Sequence, residues 1–293
     1  MKLKILFEDM HLLVCYKPAG VPVQSAGLGR EDCVSILKNY LYEAQRREPY
    51  LGVIHRLDQP VEGLLVFAKT PFAARELSRQ VTDGTMEKYY LALGRAVPSA
   101  GESGRPSTGE SGKLSTGASG EQSTGKRRKP SAGGQCGNAI HNVDNVDILV
   151  DKSGILEDYL WKSGKTNTSQ VVPAHTKGAK LARLEYEVLR EQEGIILVKI
   201  RLLTGRHHQI RVQLAHHGCP LLGDKKYHPQ RVEEENVDKP AGEDGGLALC
   251  AYILRFIHPK TKKPMEFEVC PEHPMLKKEY ENLRKDVSSS SHV

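Results

Sequence analysis

The 293-residue chain lacks the marks of several protein classes. No apolar run approaches the roughly 18 residues that a membrane-spanning helix needs. The opening, Met1-Lys2-Leu3-Lys4-Ile5-Leu6-Phe7-Glu8-Asp9, turns acidic too early for a secretory signal. Six cysteines, at 15, 33, 136, 219, 250 and 270, form no Cys-x-x-Cys pair and are too sparse for a disulfide scaffold. A glycine-rich phosphate loop is absent. These absences point to a soluble, cytoplasmic protein of a reducing compartment, with no membrane partner.

The charge has to be divided before it means anything. The net is +6, but residues 99–137 carry +3 and residues 228–246 carry −4, so the remaining chain holds +7. A modestly basic body suits a polyanion; a solvated, lysine-rich surface gives the same figure. Residues 99–137 contain ten Gly and eight Ser, and Leu114 is their only large apolar residue. Such a segment cannot bury enough surface to offset its ordering entropy. Ser-Thr-Gly recurs at 107, 115 and 123, a period far shorter than a solenoid unit. The tetrad Lys126-Arg127-Arg128-Lys129 fits an RNA-touching or targeting patch, or a plain linker charge run. Core-like sequence resumes after each soft stretch. The expectation is one domain over 1–293, with a disordered Gly/Ser-rich insertion at 99–140 and an acidic surface loop at 228–246.

The rest reads as mixed α and β. His11–Tyr16, Gly63–Ala68, Lys88–Ala96, Leu184–Arg190, Ile195–Leu203 and Ala251–Ile257 are predicted strands. Val34–Arg47 has apolar residues near helical spacing. Thr70-Pro71 is a cap followed by a first-turn proline, predicting a helix. Arg206–His217 is predicted helical and stopped by Gly218. Strands dominate without a βαβ rhythm, which predicts an α+β fold: a mostly antiparallel mixed sheet with short flanking helices.

Three segments carry chemistry. His55-Arg56-Leu57-Asp58, between apolar runs, sets a carboxylate beside a cation; in strand geometry Arg56 and Asp58 share a face. On this segment alone a structural salt bridge is the better reading. Arg206-His207-His208-Gln209-Ile210-Arg211 crowds cations at a strand-to-helix junction, where free amides favour anions. His207 and His208 lie nine residues from His216 and His217, roughly 13 Å along a helix, too far for one ion. No metal site is expected there. In Lys88-Tyr89-Tyr90-Leu91-Ala92 alternation sends one Tyr inward and one outward.

Together these segments resemble the RluA family of pseudouridine synthases. HRLDQPVEGLLVFAKT is similar to the family's H-R-L-D signature, KYYLA to its K-x-Y-x-A strand, and LTGRHHQIRVQLAHHGCPLLGDKKY to its T-G-R-x-H-Q-I-R segment. VCYKPAGVPV is similar to its K-P-x-G strand and turn. The likeness runs from about residue 8 to 98 and from about 180 to 270. It implies a monomeric RNA-modifying isomerase of the pseudouridine synthase fold, needing no cofactor, acting on ribosomal or transfer RNA. Asp58, Tyr90 and Arg211 fall on the catalytic positions, with Arg211 paired to Asp58. Arg56, Lys17, Arg206, His208 and Gln209 fall on RNA-binding ones. Two departures stand out. Val61-Glu62-Gly63 replaces the family's Thr-Ser-Gly, and Leu249-Cys250-Ala251 its Leu-His-Ala. The expectation is a stand-alone catalytic domain without an N-terminal S4-type module. Two rival expectations are an RNA-binding protein of this fold without catalysis, and a glycoside-cleaving hydrolase using Asp58 with Glu62.

Overall fold

A computed structural model describes residues 1–25, 31–46, 48–96, 152–228 and 246–290. The expected insertion at 99–140 and most of the acidic loop at 228–246 lie outside them. Eleven strands form one sheet: β1 Lys4–Glu8, β2 Leu12–Lys17, β3 Gly52–Val53, β4 Glu62–Ala68, β5 Glu87–Arg95, β6 Ser153–Ser163, β7 Thr168–Val171, β8 Lys180–Gln192, β9 Ile195–Leu202, β10 Leu249–Ile257 and β11 Pro264–Glu268. Their order is β1-β2-β4-β10-β5-β9-β8-β6-β7, with β3 on β4 and β11 on β10. Among the described strands only β4 and β10 pair in parallel. The α+β reading and the antiparallel sheet therefore hold.

The central strands are buried on both faces, which is why they read as continuous apolar runs. On β2, Leu13 and Cys15 face one core while Leu12, Val14 and Tyr16 face the other. β4 divides likewise, Leu65 and Phe67 against Leu64, Val66 and Ala68. Four helices complete the layers: α1 Cys33–Gln45, α2 Pro71–Thr82, α3 Gln209–His216 and α4 Pro274–Ser290. α1 and α3 supply Leu37, Ile210 and Leu214 to the first core; α2 and α4 supply Leu77 and Leu276 to the second.

Local signals explain the helix ends. Thr70 accepts the Ala73 amide at 3.2 Å with Pro71 in the first turn, as the sequence predicts. Asp32 and Ser35 form a reciprocal capping box on α1, and Arg46 closes it in the left-handed region. α3 differs from expectation. It starts at Gln209, not Arg206, because the Gln209 side chain accepts the Arg206 amide at 2.9 Å and holds residues 204–208 as a turn. The segment 54–58 is not strand either, so Arg56 and Asp58 do not share a strand face. β1, β3, β6, β7, β11 and α4 were not expected from sequence periodicity.

The family departure at Glu62 has a structural role. Its buried carboxylate accepts the Tyr16 hydroxyl at 2.7 Å and the amides of Glu272 and His273, each at 3.1 Å. It thus ties the start of β4 to the turn that leads into α4. Next to it Gly63 has φ +129°, and a side chain there would run into the Ala251 carbonyl of β10. Glu62→Ala strands a buried hydroxyl and two amides. The expected loss is about 3 kcal/mol, read as a lower denaturant midpoint with an unchanged slope. A midpoint equal to wild type would show that the tie is dispensable.

Candidate active site

Asp58 sits in the loop between β3 and β4, on the face of the sheet that carries α1 and α3. Leu57, buried beside it, anchors the loop in the first core. The backbone fixes the rest. Val61 N–H donates to Asp58 O at 3.0 Å, and Gly20 N–H donates to Gln59 O at 2.8 Å. Lys17, at the end of β2, completes the hold. Its ammonium donates to the carbonyls of Pro18, Val21 and Gln59 at 3.0, 2.7 and 3.0 Å. Lys17 is fully buried, and burial pushes its pKa down to about 8. It is therefore not placed as a surface cation for phosphates. A buried ammonium keeps its charge only beside acceptors, and three loop carbonyls supply them.

Arg211, on α3, meets two carboxylates. Its Nε and Nη2 donate to Asp224 Oδ2 and Oδ1, both at 2.7 Å, and its Nη1 lies 3.7 Å from Asp58 Oδ2. Arg211 lies against Asp58, as the sequence reading has it, but its two-pronged contact goes to Asp224. The reason is geometric. The turn after Leu221 aims Asp224 along the guanidinium fork, while the Asp58 loop approaches its third nitrogen. The Asp224 side chain is fully enclosed, whereas that of Asp58 is 27% exposed. Only Asp58 offers a reachable oxygen.

The two carboxyls differ in their proton affinity. Burial raises both. For Asp224 the Arg211 fork and the amides of Lys226 and Tyr227 outweigh burial and hold it below the usual range. For Asp58 burial wins, and the pull of Arg211 only partly offsets it. Tyr90, on β5, is buried opposite Ala251 and Ile200. Burial and the nearby Asp58 charge both raise its phenol. A bulge in β10 between Ala251 and Ile253 lies against Tyr90 and Tyr89. Strand alternation turns Tyr89 to the other side, where Lys199 and Arg255 lie 5.9 and 5.2 Å from its ring.

His208 stands on the other flank of Asp58, its Nε2 3.7 Å from Oδ2. Its Nδ1 is 2.7 Å from the Tyr227 hydroxyl. Gln209 is buried, and its side chain serves the chain itself, accepting from Thr204 Oγ1 and donating to the Arg183 carbonyl. Arg56 and Arg206 are exposed. Thus Asp58, Tyr90, Arg211 and His208 come together, Arg56 and Arg206 lie at the surface, and Lys17 and Gln209 act as internal braces. Sequence reasoning missed Asp224 and Tyr227. Both lie in the quoted LLGDKKY stretch, and a carboxylate thirteen residues after Arg211 was the available signal.

Among the described residues, one group of side chains has cation-ligand composition: Asp158 with His216 and His217, donor atoms within 4.8 Å of one another. Its third member comes from β6, which spacing along α3 did not reveal. Asp158 already accepts Gln213 Nε2 at 2.7 Å and faces His217 Nε2 at 3.2 Å, a tie between α3 and β6.

The raised Asp58 carboxyl has a consequence for stability. Its folded-state pKa lies above the ordinary 3.8, so the folded state loses stability as pH rises through that window. At neutral pH the ionised group is a net cost, and Arg211 retains Asp224 without it. Asp58→Asn should therefore melt at or above the wild-type temperature at pH 7, with the difference shrinking below pH 4. A calorimetric drop of several degrees at pH 7 would mean that pairing outweighs burial.

Residues 11–216 match the family model described as RNA pseudouridylate synthase. Over 98% of its length the chain is 27% identical to a protein of Bacillus subtilis (strain 168) named Uncharacterized RNA pseudouridine synthase YlyB, of which 74% is covered. It is 26% identical to Ribosomal large subunit pseudouridine synthase C of Vibrio vulnificus, across 96% of this chain and 69% of that protein. Human RNA Pseudouridylate Synthase Domain Containing 4 has the same fold. The TM-score is 0.61 at 18% identity, over 94% of this chain and 91% of that one. Asp58, Tyr90 and Arg211 all lie inside the matched span, and the chain belongs to the RluA branch of the RNA pseudouridylate synthases, a family of RNA isomerases.

Proposed function

We propose that this chain converts specific uridines of ribosomal RNA to pseudouridine, with Asp58 as the reacting group. The observation that carries the assignment to Asp58 is the unequal exposure of the two carboxylates on Arg211. The names of relatives such as the Vibrio vulnificus protein support ribosomal RNA over transfer RNA.

In the reaction the C1′–N1 bond breaks, the uracil turns, and C5 bonds to C1′; the C5 proton leaves and N1 gains one. Nothing is oxidised or hydrolysed. Asp58 either attacks C1′ or takes the C2′ proton, and both roles need it ionised. Burial raises the carboxyl and so makes it more basic, while Arg211 favours its charged form. The uridine has to leave its stack first, at a cost of a few kcal/mol. Arg56, exposed beside Asp58, fills the vacated position, and Tyr90 packs against the uracil. The hydrolase reading loses its second carboxylate, since Glu62 is engaged with Tyr16 and the 272–273 amides. Loss of catalysis through Val61-Glu62 has no support either, because Glu62 braces α4 rather than the Asp58 loop.

Asp58→Asn should bind unmodified ribosomal RNA transcripts and yield no pseudouridine; product at the wild-type rate refutes the assignment. Tyr90→Phe should keep binding and stacking and lose only what the hydroxyl provides. Salt dependence separates the cations. Arg56→Gln and Arg206→Gln should each flatten the slope of log affinity against log salt by about one. Lys17→Met should lower stability and leave that slope unchanged. An altered slope would return Lys17 to the phosphate contacts.

A further inference from the structure

We propose that His208 is a neutral hydrogen-bond donor aimed at the Asp58 carboxylate, its tautomer set by Tyr227, and that it positions that carboxylate together with Arg211. The proposal rests on Asp58 being the reacting group.

The His208 ring is buried between two partners. Nε2 faces Asp58 Oδ2 at 3.7 Å and Nδ1 meets the Tyr227 hydroxyl at 2.7 Å. The Tyr227 oxygen also accepts the Ser169 amide of β7 at 2.8 Å. A phenol has a single proton. The amide takes one lone pair of the oxygen, and the phenol proton goes to the acceptor 2.7 Å away, Nδ1 of His208. A neutral imidazole accepting at Nδ1 carries its hydrogen on Nε2, the nitrogen that faces Asp58. The chain of donors thus runs from the Ser169 amide through Tyr227 and His208 to the carboxylate.

The neutral state follows from the surroundings. Arg211, His207, Lys226, Asp224, Asp58 and Tyr227 face the ring. Burial, Arg211, His207 and Lys226 oppose the imidazolium and push the pKa to about 3, against a smaller pull from Asp224. His207 stacks on His208 with centroids 3.7 Å apart, and Ser169 Oγ lies 3.0 Å from His207 Nδ1. One short strand therefore fixes both rings. His208 also holds φ +54°, a left-handed conformation uncommon for a side chain of this size. The 3.7 Å gap exceeds a direct hydrogen bond, and such contacts commonly tighten in the substrate complex.

This differs from a role in gripping RNA. A phosphate-holding histidine would be charged and exposed; this one is neutral and enclosed. It also differs from a packing role, because a donor lowers the proton affinity of Asp58 whereas packing alone raises it.

Two measurements test it on the full chain. Long-range nitrogen–proton NMR of the ring at pH 7 should find Nε2 protonated and Nδ1 bare, and Tyr227→Phe should raise the share of the other tautomer. The opposite tautomer in the wild type overturns the proposal, with or without activity. Single turnover on an unmodified ribosomal RNA transcript is the second. His208→Leu should slow the rate about tenfold, the size of one hydrogen bond to a charged group. It should also move the acid limb of the pH profile upward while RNA affinity stays the same. Tyr227→Phe should move it in the same direction by less, and His208→Gln, which keeps a donor, should recover part of the loss. A folded, RNA-binding His208→Leu with the wild-type limb and rate overturns the proposal. If Asp58→Asn still turns over, the assignment of Asp58 fails instead, and the tautomer result stands apart from it.

Discussion

The guanidinium of Arg211 is the contact on which the site depends. One buried cation is shared between two carboxylates, and the sharing is unequal. The fork goes to the enclosed Asp224 and leaves a single nitrogen for Asp58. A buried arginine needs a matched anion to be tolerated at all. If Asp58 supplied that anion alone, its oxygens would be committed to structure. With Asp224 satisfying the fork, Arg211 stays rigid and Asp58 keeps a free, partly exposed oxygen within its field. The same division explains why burial prevails at Asp58 and pairing prevails at Asp224.

The carboxylate is held still by its backbone more than by its side-chain partners. The 58–61 turn hydrogen-bonds to itself and to Gly20, and Lys17 gathers Gln59 O with the carbonyls of Pro18 and Val21. An ammonium with no exposure is costly, so it serves only where several acceptors converge. Here they converge under the loop that carries Asp58. Behind the sheet Glu62 does the same for the opposite layer, where it gathers Tyr16 and the turn before α4. Lys17 thus braces the loop that carries Asp58, and Glu62 the turn that leads into α4.

Much of the site was legible in the sequence because its chemistry is concentrated in short motifs. H-R-L-D, K-x-Y-x-A and the T-G-R-x-H-Q-I-R stretch led directly to Asp58, Tyr90 and Arg211. The burial of Lys17, His208 and Gln209 was not legible for one reason: residue type shows charge and donors, not exposure. A lysine after a strand and a histidine at a helix start look like surface cations until burial is known. Asp224 and Tyr227 were passed over because each matters only through a partner distant in sequence. Ser169, which orients the Tyr227–His208 pair, lies 58 residues from Tyr227 and carries no motif.

The sequence by itself determined the α+β class, the apolar runs of β2, β4 and β10 and the Thr70-Pro71 helix start, and through a family resemblance it singled out Asp58, Tyr90 and Arg211. The first three follow from local rules, apolar runs and capping chemistry; the residues follow from likeness to the family's motifs. Tertiary structure alone decided which carboxylate takes the Arg211 fork, what encloses the His208 ring, and what Lys17 and Glu62 hold. Each of these is set by contacts between segments far apart in the chain, and their geometry exists only once the sheet has brought β2, β4, β7 and α3 to one place.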